Sequence, residues 1–316
     1  MPCFQHTFRH CCAILAAGVG AITCCLLVGC GGAEVPSVKA DALQTTILVR
    51  KFDNQKSATG GSAAERVDPN GFATLSGRFK VKGTPNELPN LATTGNDRAY
   101  CGAVPDNTIL VDDEGNLQNV LVFLSTKLPK DAESRYGLWI HESYQAAESA
   151  LLEGAAAFDQ QNCSFKSRIF AMRATQTVQV MNSDRVGHNT NIAGSGRAMA
   201  INPTLPAGSA IPYAPAGAST EPYPVSCSVH SWMKSWMISL DSPYFAVTGA
   251  DGAFEIPNLP AGVELTFSVW HEKAKWLKNV AISTEKTTDR RGRFPLKLEA
   301  GEDQQIVVEL DAALLN

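Results

Sequence analysis

The sequence predicts a mainly β protein: a β-sandwich carrying a helical insertion, followed by a smaller β-sandwich module. Two patterns lead there. Apolar runs of strand length, such as residues 120–124 and 306–310, recur between turn residues. Residues 131–157 break that rhythm, being rich in Ala and Glu with Leu151, Leu152 and Phe158 spaced as on a helix.

The chain of 316 residues is 44% hydrophobic and 18% charged, so it can bury a core. Its net charge of -4 argues against a nucleic-acid partner. Residues 1–29 read as an export signal. Arg9 is the single Lys or Arg before an uncharged run from Ala13 to Val28, which is too short and too rich in small residues for a comfortable membrane span. The run ends in Leu27-Val28-Gly29-Cys30, followed by Gly31-Gly32. That ending resembles a bacterial lipobox. The resemblance implies cleavage before Cys30 and lipid on its sulfur and amine. Gly31 is not acidic, which by the same resemblance favours the outer membrane over the inner. An ordinary signal peptide or a short anchor helix is the alternative. Residues 30–70 include Ser57-Ala58-Thr59-Gly60-Gly61-Ser62 and read as a flexible tether.

Two units follow, residues 71–240 and residues 241–316. Residues 73–81 alternate, with Leu75, Phe79 and Val81 as apolar positions. Asp113-Glu114-Gly115-Asn116 is a turn before the strand at 120–124. After the insertion, strands resume at 168–170 and 177–181. Residues 202–224 hold many Pro, Gly and Ala and read as a long loop. Strands at 225–229 and 236–240 end the first unit. In the second, Asp251-Gly252 separates residues 244–248 from 253–256 in the manner of a hairpin turn. Leu259-Pro260-Ala261-Gly262 makes another turn before a strand at 265–270.

The chemistry concentrates in Val225-Ser226-Cys227-Ser228-Val229-His230-Ser231-Trp232-Met233. Seven of these residues hold a thiolate, an imidazole and a thioether. Thiolate and thioether are soft and favour Cu(I), while imidazole serves both oxidation states. Two His and one Cys with a weak axial Met make a blue-copper centre. The second His is best supplied by His188, which follows the apolar residues 178–181. Asn189 is then placed to donate its backbone N–H to the Cys227 sulfur, a bond that tunes such a site. Met237 rivals Met233 but falls where the next strand begins. A fold that has lost its metal is the plainer alternative.

The Cys-x2-His-x2-Met spacing of Cys227, His230 and Met233 resembles the ligand loop of amicyanin, a small cupredoxin. The His188-Asn189 pair and its separation from Cys227 fit the same pattern. More broadly, residues from Phe72 onward resemble exported bacterial cupredoxin-domain proteins of the methylamine-utilisation-like kind. Asn119-Val-Leu-Val-Phe-Leu124, Phe158-Asp-Gln-Gln-Asn-Cys163, Asn182-Ser-Asp184 and Trp270-His-Glu272 share in it. The resemblance implies a cupredoxin-type Greek-key sandwich over 71–240 holding one type 1 copper through His188, Cys227, His230 and Met233. Ser231 departs from the Pro frequent in relatives. Residues 246–262 resemble a carboxypeptidase-regulatory-like β module, a type without catalytic residues.

Six of the nine cysteines lie at or before Cys30, leaving Cys101, Cys163 and Cys227 in an exported and hence oxidising setting. Cys101 and Cys163 read as a disulfide, a pair of free thiols being the alternative. Cys227 would then be the thiol that a metal occupies. His141, in the insertion and expected to be exposed, and His271, at a strand end, read as non-ligands. Neither His-Glu pair completes His-Glu-x2-His, so a zinc peptidase is unsupported. Gly194-Ser195-Gly196 lacks the frame of a serine hydrolase. The chain is therefore expected to be no enzyme but a lipid-anchored periplasmic one-electron carrier with an unnamed redox partner. A copper-holding or envelope-interaction module without redox turnover is the alternative. Six His in all, two of them in the signal, are too few for a multicopper oxidase.

Overall fold

The computed structural model describes residues 67–134, 136–147, 150–283 and 286–316. The export signal, Cys30 and all but the last few residues of the tether lie outside them.

A strand that is apolar at every position must be covered on both faces. Val120–Leu124 is such a strand, with all five residues buried. Val120, Val122 and Leu124 enter one core, while Leu121 and Phe123 enter another. The same division of side chains recurs in neighbouring strands and stacks four sheets in sequence.

The outermost sheet orders Ala253–Pro260, Phe72–Lys82 and Asp303–Asp311, with Ala281–Ile282 and Lys286–Thr287 beyond. The second orders Phe245–Val247, Val120–Leu124 and Glu264–His271, with Lys275–Trp276 and Arg293–Lys297 both paired to the last of these. Leu75, Phe79, Ile256 and Val308 from the first sheet meet Val122 and Phe267 from the second. The third sheet orders Ile169–Arg173, Lys234–Leu240, Tyr223–Ser226 and Asn191–Ile192. Ile169, Ile238 and Leu240 on its outer face pack on Leu121, Phe123 and Trp270 of the second sheet. The fourth orders Ala210–Tyr213, Thr177–Asn182, Phe158–Gln161 and Ser164–Phe165. Phe158, Val178, Val180 and Tyr213 from it close a core with Phe170, Met172, Val225 and Met237 from the third.

The architecture is mainly β, as expected, and three expectations change. The sheets do not divide at residue 240. Phe72–Lys82 runs parallel to Asp303–Asp311 and antiparallel to Ala253–Pro260, and Val120–Leu124 pairs with Glu264–His271. The strands at 72–82 and 120–124 therefore build one sandwich with the chain's last third, and the sandwich at 158–240 is inserted between them. Local pattern could not assign those strands, because their partners lie more than a hundred residues away.

Second, residues 131–157 form no α-helix among the described residues. Short 3-10 turns occupy Ala132–Ser134, Glu142–Ala147 and Gly154–Ala156, and Leu151–Leu152 is a short strand on Thr177–Asn182. Gly137 and Gly154 sit at positive φ, which a continuous right-handed helix does not accommodate, and Trp139 and Ile140 are drawn into the first core. Third, Asp251-Gly252 does turn the chain, with the Gly252 N–H on the Gly249 carbonyl at 2.9 Å. The strands it joins, however, lie in different sheets, so it is an arch and not a hairpin. A Cβ on Gly252 would lie 2.7 Å from the Phe79 carbonyl oxygen, so the close approach requires glycine.

Leu121 is fully buried in the seam between the two sandwiches. Leu121→Ala is expected to cost about 2–5 kcal/mol, the usual range for emptying a core leucine site. Chemical denaturation followed by tryptophan fluorescence measures it. A loss well below that range would show that the seam does not hold the layers together.

Candidate metal centre

The spacing in the Cys227 loop follows from a hairpin. Tyr223–Ser226 and Lys234–Leu240 pair antiparallel, with Ser226 opposite Lys234. Cys227 and Met233 are therefore the two feet of the loop, joined by a 3.3 Å bond from the Cys227 N–H to the Met233 carbonyl. The Met233 N–H returns to the His230 carbonyl at 2.9 Å. A loop of five residues between Cys227 and Met233 thus returns the chain to the same end of the sandwich.

His188 arrives from the facing sheet. Thr177–Asn182 ends at Asn182, whose buried amide donates to the carbonyls of Val186, at 2.9 Å, and Leu205, at 3.0 Å. Its Oδ1 accepts the Asp184 N–H at 3.0 Å. These bonds fold the turn that ends at His188. His188–Asn189 pairs with Thr204–Leu205, and Asn191–Ile192 pairs with Val225 and Ser226. The long loop at 202–224 therefore contains strands, Thr204–Leu205 and Ala210–Tyr213 among them.

His188, Cys227 and His230 converge. Their ligating atoms lie within 4.8 Å of one another, close to twice a metal–ligand bond of about 2.0–2.3 Å. None is more than 2% exposed. The Cys227 sulfur accepts two backbone N–H groups, from Asn189 at 3.4 Å and His230 at 3.3 Å. Donors of this kind stabilise a thiolate. The Asn189 side chain staples the two segments, accepting the Ser228 N–H at Oδ1 and donating from Nδ2 to Asn202.

The outer nitrogen of each imidazole meets a carboxylate. His188 Nε2 lies 2.7 Å from Asp184 Oδ2, and His230 Nε2 lies 3.0 Å from Asp97 Oδ2. Burial works against an ionised Asp184, yet hydrogen bonds from His188, the Cys163 and Asn162 N–H groups and Tyr100 outweigh it and hold its pKa below the usual carboxylate value. Burial is also the main cause that lowers the pKa of His188. Both point to an ionised Asp184 and a neutral His188 whose proton is on Nε2. A carboxylate accepts, so each Nε2 is the donor toward its aspartate and each Nδ1 is left facing the site.

Those two Nδ1 atoms face each other at 2.8 Å, with the rings edge to face. Nitrogens set at that distance can share one proton or one Lewis acid. The Cys227 sulfur stands beside the pair. The donor set therefore fits one soft or borderline metal ion.

Met233 is buried at the foot of the loop and belongs to the same apolar core as Cys227 and Trp232. Met237 lies inside the next strand, opposite Tyr223, and is fully buried. Cys101 and Cys163 are disulfide-bonded with Cα atoms 5.4 Å apart, and Cys227 is the free cysteine among the described residues. His141 is half-buried and not exposed as expected: it bonds Ser143 at 2.8 Å and packs edge-on against Phe72. His271 is fully buried at the end of Glu264–His271, with Nδ1 accepting from the Lys273 N–H at 3.2 Å. Trp232 tilts over His230, and its Nε1 donates to the Cys163 carbonyl at 3.1 Å.

Sequence reasoning missed Asp97 and Tyr100 entirely and gave Asp184 no role. Asp184 stands four residues before His188, a readable spacing. Asp97 lies 133 positions from His230, and nothing local marks it.

No family model matches the chain, and no curated protein matches it. Solved structures resemble part of it. The reduced Cu(I) form of an amicyanin mutant at pH 4 is 22% identical over 30% of this chain and 89% of its own, with a TM-score of 0.25. A second reduced amicyanin mutant is 14% identical over 38% and 98%, with a TM-score of 0.24. The copper-containing nitrite reductase of Thermus scotoductus SA-01 is 17% identical over 26% and 21%, with a TM-score of 0.23.

The buried His271 carries a pH prediction. Burial, with help from Arg168 and Lys275, pushes its pKa down to about 4, below the unfolded value. Between those two values the unfolded chain binds a proton that the folded chain does not. Stability must therefore fall as pH drops through that window, by about 3 kcal/mol in all. His271→Gln is expected to flatten that part of the stability–pH curve of the metal-free protein. An unchanged slope would remove His271 as its cause.

Proposed function

We propose that the chain is a type 1 copper protein that carries single electrons, and that it is no enzyme. One observation supports this above the others: the Nδ1 atoms of His188 and His230 face each other beside the Cys227 sulfur, with both outer nitrogens already engaged. Cys227, His188 and His230 would hold the ion, with Met233 as the fourth donor. A copper ion there supplies a one-electron couple.

The residues explain why such a couple would cost little rearrangement. Cys227 and Met233 are tied across the hairpin foot, and the Asn189 side chain fixes the His188 segment to Ser228. The imidazoles are held from behind by Asp184 and Asp97. Donors fixed by their own backbone and hydrogen bonds cannot follow a change in the ion's preferred geometry. Four protein donors would leave the ion no open position for a substrate, unlike a catalytic metal centre. Export and lipid attachment at Cys30 belong to the same proposal, and would keep the carrier at a membrane surface in the periplasm, facing a redox partner protein.

A second reading has one observation in its favour. His230 is covered, so the site holds its ion away from solvent, which suits a copper-holding module without turnover. Voltammetry separates the two, since a carrier gives a reversible one-electron wave.

Protein loaded with Cu(II) should show an intense visible thiolate-to-copper band. Cys227→Ser should abolish it, and Met233→Leu should shift it while Met237→Leu leaves it in place. A colourless copper adduct, or an equal band in Cys227→Ser, would end the proposal. A shift in Met237→Leu alone would reassign the axial position.

A further inference from the structure

We infer that residues 97–101 form a clip, anchored by the Cys101–Cys163 disulfide, that positions both imidazoles and closes the metal centre over His230. The inference rests on the metal site proposed above and concerns residues that the ligand pattern does not contain.

One short segment reaches behind both histidines. Asp97 precedes the single-turn helix Arg98–Cys101, and its carbonyl accepts the N–H groups of Tyr100 and Cys101, both at 2.9 Å. Its side chain accepts from His230 Nε2 at 3.0 Å. Three residues on, the Tyr100 hydroxyl donates to Asp184 Oδ1 at 3.1 Å and accepts the Arg185 N–H at 3.2 Å. Asp184 Oδ2 is the atom that meets His188 Nε2. The next residue, Cys101, is bonded to Cys163, whose own N–H donates to Asp184 Oδ2 at 2.8 Å. Direct contact through Asp97 and relayed contact through Tyr100 thus converge from one turn of chain.

The segment is also tied at its base. Leu91 and Val104 form an antiparallel bridge, and the Thr93 hydroxyl donates to the Gly102 carbonyl at 2.8 Å. Val104 is buried in the core that contains Cys227, with Leu91 and Cys101 packed against it. A surface carboxylate held only by its own flexible side chain would gain little from a neighbouring imidazole. Asp97 differs because its backbone is held on both sides and because His230 beneath it is 2% exposed while Asp97 itself is 33% exposed. Without Asp97 the buried Nε2–H would lose its acceptor, a state that proteins avoid. Asp97 and Tyr100 are therefore positioning residues. Anything that reaches Cys227 from this side, or leaves from it, has to displace the Asp97–His230 bond.

The test uses the full-length chain with Asp97→Ala, which removes the acceptor, and Asp97→Asn, which keeps an acceptor oxygen and the side chain's shape. Asp251→Asn, at the distant Arg78 pair, is the control. In the metal-free protein, the rate at which iodoacetamide alkylates Cys227 is followed by peptide mass spectrometry. In the copper-loaded protein, the rate of copper loss to a chelator is followed by absorbance. Asp97→Ala should raise both rates by about 10- to 100-fold, the usual cost of losing an outer partner of a metal-binding histidine, with Asp97→Asn between it and the wild type. Tyr100→Phe should raise copper loss while its alkylation rate stays closer to the wild type. Rates in Asp97→Ala matching the control in both arms would overturn the clip. Failure of the wild type to take up copper would defeat the proposed function instead, and the alkylation arm would still decide the clip.

Discussion

The structure is organised around two imidazoles whose outer nitrogens are taken. Once Asp184 and Asp97 accept the Nε2 protons, the inner Nδ1 atoms of His188 and His230 are left to face each other, 2.8 Å apart. The surrounding protein keeps them in place through bonds that do not involve the rings. Asn182 folds the turn before His188, Asn189 fastens that turn to Ser228, and the hairpin foot joins Cys227 to Met233. Two nitrogens and a sulfur held together by their own surroundings make a donor set that fits an ion.

The four stacked sheets explain how such a site stays rigid at the edge of a protein. Its sandwich is not a free-standing unit with one exposed outer face. Ile169, Ile238 and Leu240 press its third sheet onto Leu121, Phe123 and Trp270 of the second. The strand Lys234–Leu240, which begins directly after Met233, is therefore buried from both sides. Interiors packed to this density transmit strain and resist adjustment. The sandwich of the first and second sheets thus backs the strand that carries the loop, although it contributes no donor to the site.

Much of the site could be read from sequence because its donors sit on two short local patterns. Cys227, His230 and Met233 are spaced by one hairpin loop, and His188-Asn189 follows a few residues after a strand that alternates visibly. The layering could not be read the same way. Val120–Leu124 announces only that both of its faces are covered, and leaves its partners open. Its partners proved to be Phe245–Val247 and Glu264–His271, so the boundary drawn at 240 fell through the middle of a sheet. Residues 131–157 carried helix-forming composition, but Trp139 and Ile140 gain more from the first core than a helix would gain from Ala and Glu. Asp97 was illegible for a different reason. Its partner is fixed by a disulfide and a bridge that bring residue 97 to residue 230, and neither side of that contact has a local mark.

The carboxylates behind the imidazoles also bear on which oxidation state the proposed site would favour. Cys227 is a thiolate donor in that reading, and Asp184 and Asp97 place two acidic groups one bond further out. All three groups stabilise positive charge, and they stabilise a divalent ion more than a univalent one. Burial acts in the same direction. A divalent ion leaves this cluster with the smaller net negative charge, and burial penalises net charge of either sign. The soft sulfur donors pull the other way, toward Cu(I). A site with the same four donors but no acidic partners would feel that pull unopposed. In the proposed copper site the two aspartates would therefore oppose that pull, Asp97 from a segment that the ligand pattern does not include.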